Sequence, residues 1–134
     1  MLAVFMEASA LADTVGIMDP TPLNAIDGRQ VYQHICQGCH MPDAQGAVGA
    51  GRYPPLAKDP SLGSRQYMAL TILKGRRNMP AFGDKHAIGF AGAPATLSNA
   101  QIAAVVNYVR ANFGNHYKDR ITADEVAALD ESAH

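Results

Sequence analysis

Residues 31–46 read VYQHICQGCHMPDAQG. They hold both cysteines of the chain, Cys36 and Cys39, and His40 follows the second one directly. Thiols three positions apart share one side of a helical turn. Three chemistries use such a pair. Each thiol can add to one vinyl group of a haem, giving two thioethers, and the imidazole of His40 is then held under the iron. A thioredoxin-like redox pair uses the same spacing, but no βαβ pattern surrounds this one. Half a zinc site also uses it, but there is no second cysteine pair to complete the set.

Working outward, Asp27 is a plausible N-cap, and GRQVYQHICQ (28–37) reads as a short helix with Gly28, Val31 and Ile35 on one stripe. Residues 41–60 are rich in Gly, Ala and Pro and read as loop. SRQYMALTILKG (64–75) is a second helix, capped by Ser64 and ended by Gly75 in the left-handed conformation. LSNAQIAAVVNYVRANFG (97–114) is the clearest helix, with Ser98 and Gln101 as a capping box and Gly114 as its stop. Thr122 and Glu125 repeat the box before a short acidic helix. No strand alternation appears, so the class is all-α. Short helices joined by long Gly/Pro loops bury a core poorly by themselves, as expected if a bound group fills the middle.

A haem held by His40 needs a ligand on its other face. A Met there favours reduced iron and raises the potential. Met41 is too close in sequence to reach that face, and Met68 lies mid-helix on an apolar stripe, where packing is the expected role. Met79 sits in the loop GRRNMPAF, stiffened by Pro80, where packing gives no reason for it. His86, in the following stretch, competes for the same position. His34 and His116 read as solvated surface residues.

These features together resemble class I c-type cytochromes over roughly residues 27–114. The likeness rests on CQGCH, on RYPPLA (52–57), on NMPAFG (78–83), and on Gly28 and Tyr32 facing Val105 and Tyr108 at a helix crossing. It implies that Cys36 and Cys39 carry one covalent haem c and that His40 and Met79 bind its iron. It also implies that a proline carbonyl, from Pro54 or Pro55, orients the proximal histidine, with Pro55 the expected site residue. Arg52 and Tyr53 are candidates for contact with a haem propionate. The stretch HAIGFAGAPAT (86–96) departs from shorter members of the family. Details such as FGNHYKD (113–119) also resemble cytochrome subunits of periplasmic dehydrogenases, including flavin-dependent p-cresol-type hydroxylases.

The resemblance implies a one-electron carrier rather than an enzyme, taking electrons from a periplasmic dehydrogenase and passing them to a respiratory acceptor. An integral dehydrogenase subunit, and a haem sensor or peroxidase with a labile sixth ligand, are the alternatives. The chain has 134 residues and a net charge of −1. That balance gives no sign of a nucleic-acid partner, and no stretch is long and apolar enough to span a membrane. The expected organisation is an N-terminal segment (1–26), a cytochrome domain (27–114) and an acidic extension (115–134), with both terminal segments open to a docking role. Lys74, Arg76, Arg77 and Lys85 bracket Met79 as a positive rim, with the acidic tail expected as the opposite pole. Haem c is attached outside the cytoplasmic membrane, so export to the periplasm is expected. MLAVFMEASALADT (1–14) has an apolar run and an A-L-A end that fit a signal, with Asp13 as the mature start. Glu7 and the lack of a leading cation fit a remnant, a non-native leader or an N-terminal arm.

Overall fold

The computed structural model describes residues 27–83 and 96–132. The N-terminal segment and the stretch holding Lys85 and His86 lie outside the described residues.

The described chain is helical: α1 (Gly28–Val31), α2 (Gln37–His40), α3 (Arg65–Lys74), α4 (Asn99–Ala111) and α5 (Ala123–Ser132). Asp27 caps α1 by accepting the Arg29 N–H at 2.9 Å. The helix expected to stop near Gln37 continues to His40, because Tyr32–Cys36 forms a π-helical turn between α1 and α2. In that turn the Gln37 N–H reaches back to the Tyr32 carbonyl, and the wider loop shifts the register of everything after it. The all-α reading holds apart from one antiparallel pair, β1 (Ala47–Val48) with β2 (Arg52–Tyr53), where a plain loop is expected from the sequence. A 3-10 turn, Pro60–Gly63, precedes α3.

The caps are largely those expected. Ser64 accepts the Tyr67 N–H at 3.1 Å. Ser98 with Gln101, and Thr122 with Glu125, form reciprocal boxes. Gly75 ends α3 at φ 71°, ψ 171°, which is not the left-handed helical region but an extended positive-φ region essentially restricted to glycine. A Cβ there would lie 2.6 Å from the Met79 carbonyl oxygen. Helix α4 ends at Ala111, before Gly114; the stop is a turn in which Phe113 (φ 58°) and Gly114 (φ 77°) both have positive φ.

The core centres on the crossing of α1 over α4. A Cβ on Gly28 would lie 2.1 Å from the Ala104 carbonyl oxygen and 2.8 Å from the Tyr108 Cβ, so only glycine permits this approach. Val31, Tyr32, Ile102, Val105, Val106 and Val109 are buried around it. Tyr32 packs 4.8 Å from Phe113, and Tyr108 meets Phe113 edge-on at 5.7 Å. Met68 is buried on α3, as its stripe implies.

The C-terminal extension is not a free arm. Ile121 and Val126 are buried, and α5 packs against α3 and α4. Asn107 exchanges two hydrogen bonds of 2.9 Å with the Ile121 backbone. Arg110 is fully buried and donates to the carbonyls of Leu62 (2.8 Å), Gly63 (3.1 Å) and Asp119, and to the Asp119 carboxylate (2.8 Å). One side chain of α4 thereby ties the 3-10 turn to the extension.

Candidate functional site

The site begins where the first helix ends. His40 is buried, and its Nδ1 lies 2.9 Å from the Pro54 carbonyl oxygen. A carbonyl only accepts, so Nδ1 carries the proton and Nε2 keeps its lone pair free for a ligand. Pro54 therefore takes the place expected of Pro55. With no N–H on either proline, the choice is made by the flanking backbone. β2 ends at Tyr53, directly before Pro54, while beyond Pro55 the N–H groups of Leu56 and Ala57 both turn to the Ala44 carbonyl, at 2.8 and 3.0 Å.

Two features hold the approach of Pro54 to His40. Gly46 has φ 68°, and a Cβ on it would lie 2.1 Å from the Tyr53 carbonyl oxygen and 2.9 Å from that of Pro54. Its N–H also donates to the His40 carbonyl at 3.0 Å. Directly after His40, Met41 has φ 71° and ψ 159°, a backbone state rarely available to a side-chain-bearing residue. The buried Tyr32 hydroxyl donates to the Met41 carbonyl at 2.7 Å. Burial pushes Tyr32 up to about 12, so it stays a neutral donor.

Cys36 is half-buried and Cys39 exposed, and neither is in a disulfide. Burial, with Cys39 adding, pushes the Cys36 thiol up to about 12. This is opposite to the acidic thiol that drives a C-x-x-C redox exchange. Among the described residues, no group of three or more His, Cys, Asp and Glu is arranged to hold a metal ion. The donor set fits a haem joined through two thiols and bound by one imidazole nitrogen.

Met79 is partly buried and packs on the same core as Cys36. Its loop is fixed by reciprocal backbone hydrogen bonds with Arg76, both 3.0 Å. The competing His86 lies outside the described residues. Arg52 and Tyr53 are exposed on β2, beside Pro54, and His34 and His116 are exposed as expected.

The charge layout differs from the expected dipole. Lys74 pairs with Asp130 of α5 at 2.7 Å, and Arg65 pairs with Asp119 (3.1 Å) and Glu125 (2.9 Å). The acidic tail thus folds onto cations at the two ends of α3 instead of forming the opposite pole. Arg76 donates to the Tyr67 hydroxyl at 2.7 Å, and Arg77 is exposed. Gly46, Arg110 and Asn115 escape a reading of the sequence alone; Gly46 in a Gly-rich loop and Asn115 in FGNHYKD were the available signals.

Comparison with known proteins places this geometry in a family. Residues 25–113 match the cytochrome c family model. The chain is 32% identical to cytochrome c-552 of Thermus thermophilus over 112 residues, covering 77% of this chain and 83% of that protein. It is also 32% identical to the cytochrome c subunit of a quinone alcohol dehydrogenase from Gluconacetobacter polyoxogenes, spanning 78% of this chain and 22% of that subunit. The gluconate 2-dehydrogenase cytochrome c subunit of Pantoea cypripedii matches at 32% over 76% of this chain and 23% of its own length. No helix among the described residues is long and apolar enough to cross a membrane. The chain belongs to the cytochrome c family, as a class I c-type cytochrome that transfers electrons through covalently bound haem c and is not itself an enzyme.

Proposed function

We propose that this protein is a periplasmic one-electron carrier with His40 and Met79 as axial ligands, accepting electrons from a dehydrogenase and passing them to the respiratory chain. Bound haem c supplies the one-electron ferric–ferrous couple. Cys36 and Cys39 anchor it through thioethers. His40 would offer Nε2 to the iron, because Nδ1–H is committed to Pro54, and that bond makes the ring a better donor. Met79 would contribute its sulfur from a loop fixed at Arg76, and Arg52 and Tyr53, exposed on β2, would be the partners of a propionate. With His40 and Met79 both holding the iron, substrate would have no access to the metal, and the site would suit outer-sphere transfer.

The observation that carries this reading is the buried His40 with its Nδ1 at 2.9 Å from the Pro54 oxygen. Relatives that are dehydrogenase cytochrome subunits support a dehydrogenase as electron donor, or an integral place in such a complex. Two observations on the purified protein test the reading. Haem should stay on the chain through denaturing electrophoresis, and the oxidised protein should show the weak far-red sulfur-to-iron band of an axial Met. Haem released by acid–acetone sinks covalent attachment. A high-spin spectrum that takes up carbon monoxide at once moves the assignment to a sensor or peroxidase. Co-purification with a dehydrogenase separates an integral subunit from a free carrier.

A further inference from the structure

The Pro54 carbonyl has no hydrogen-bonding amide of its own or of Pro55 to hold it, so its position is inherited from its neighbours. The next four residues account for every one of their N–H groups. Leu56 and Ala57 donate to the Ala44 carbonyl at 2.8 and 3.0 Å, and Lys58 donates to the Phe113 carbonyl at 3.1 Å. Asp59 donates to the Asn115 side-chain oxygen at 3.1 Å. The Asn115 amide in turn donates to the Leu56 carbonyl at 2.9 Å and to Val109, in the last turn of α4, at 3.0 Å. Asn115 is buried, and its three bonds span the segment from both ends.

We infer that Asn115 is a positioning residue for the proximal histidine: by clamping residues 56–59 to the end of α4, it fixes the Pro54 carbonyl against His40 Nδ1 and so sets the donor strength of the iron ligand. This rests on the reading of His40 as that ligand. The residues just beyond the last helix of the haem-binding domain thereby act on its redox couple from the far side of a loop. A shorter Nδ1–H···O bond gives the ring more imidazolate character, which stabilises ferric iron. Loosening the clamp has the opposite effect and favours the ferrous state.

The test compares Asn115→Ala with Asn107→Ala in the haem-loaded protein. Asn107 also makes two buried side-chain bonds, but to Ile121, away from residues 56–59. Asn115→Ala should raise the ferrous-to-ferric ratio at fixed poise about three-fold, equivalent to about 28 mV for one electron. It should also speed solvent exchange of the His40 Nδ1 proton seen by NMR. Asn107→Ala should lower the melting temperature and leave both readouts at wild-type values. Asn115→Asp keeps the acceptor for Asp59 and loses the donor to Leu56, so a shift in the same direction is expected if the Ala variant does not accumulate. A wild-type potential and wild-type proton exchange in the Asn115 variants overturn the inference, as does an equal shift in Asn107→Ala. The wild-type spectrum separates the two readings. If no histidine ring carries paramagnetically shifted protons, His40 is not the ligand and the earlier reading fails; if it does and the variants are silent, only the clamp fails.

Discussion

Gly46→Ala puts the geometry around His40 under the sharpest strain a single methyl can impose. The added Cβ would sit 2.1 Å from the Tyr53 carbonyl oxygen and 2.8 Å from the Pro54 carbonyl carbon, both backbone atoms, whereas ordinary Cβ contacts begin near 3.4 Å. Relief requires a movement of about 1 Å or more between Gly46 and the Tyr53–Pro54 strand end. The His40–Pro54 bond is 2.9 Å and leaves hydrogen-bond range when it stretches that far. Two costs add. A non-glycine residue at φ 68° costs about 1–2 kcal/mol, and the lost hydrogen bond costs about 1 kcal/mol. The expected total is about 2–3 kcal/mol, read from guanidinium melts followed by haem absorbance. The potential should rise in parallel, because the proximal ring loses its acceptor. Gly46→Asn, which tolerates positive φ, should recover part of the stability and none of the potential. A variant within ~0.5 kcal/mol of wild type, with an unshifted potential, would mean that the collision is relieved away from Pro54 and that Gly46 does not hold the His40–Pro54 contact.

Three further outcomes follow from the packing. Reversing Arg76 and Arg77 to Glu should slow reduction by an acidic-faced dehydrogenase roughly ten-fold at low salt, through the association rate; the difference should shrink as ionic strength rises, and a salt-independent loss would point to a damaged site. Arg110→Met leaves the carbonyls of Leu62, Gly63 and Asp119 without their donor, so a loss of about 3–5 kcal/mol in chemical melts is expected. Acid should loosen α5 first. The Arg110 and Arg65 guanidiniums hold Asp119 below its usual range, and Arg65 with the Thr122 N–H does the same for Glu125. Their folded values are depressed, so the stabilisation is full above the ordinary carboxylate range near pH 4 and fades as pH falls through the lowered values. Amide exchange in 123–132 that accelerates below pH 4, ahead of the core helices, is the expected signature; uniform exchange across the chain at that pH contradicts it.

The parts of the site that were legible in the sequence are those whose chemistry is local. Cys36, Cys39 and His40 declare themselves because thioether attachment fixes their spacing. The capping boxes at Ser98 and Thr122 are equally local, and Gly28 and Tyr32 mark the crossing through the family resemblance. What stayed hidden depends on chain segments meeting in space. Pro54 and Pro55 are chemically alike, and only the strand end at Tyr53 and the Ala44 carbonyl decide which oxygen reaches His40. The acidic tail reads as a detached pole, yet its carboxylates meet Arg65 and Lys74 across more than fifty residues of chain. Asn115 and Arg110 look like ordinary polar positions near the end of a helix until their carbonyl partners at 56, 62 and 63 are seen. The π-helical turn at Tyr32–Cys36 has no composition signal, since its residues would serve equally well in an α-helix.

The proposed function rests on His40 and Met79 both holding the iron of a covalently attached haem. The most direct measurement is a proton–carbon NMR spectrum of the reduced protein with its methionine methyl groups labelled. An axial Met methyl lies over the porphyrin face, where the ring current drives its proton signal far upfield of every other methionine. One such signal is expected, lost in Met79→Leu while the signals of Met41 and Met68 stay in the ordinary range. A spectrum with no upfield methyl, or one whose upfield signal survives Met79→Leu, rules out Met79 as the ligand.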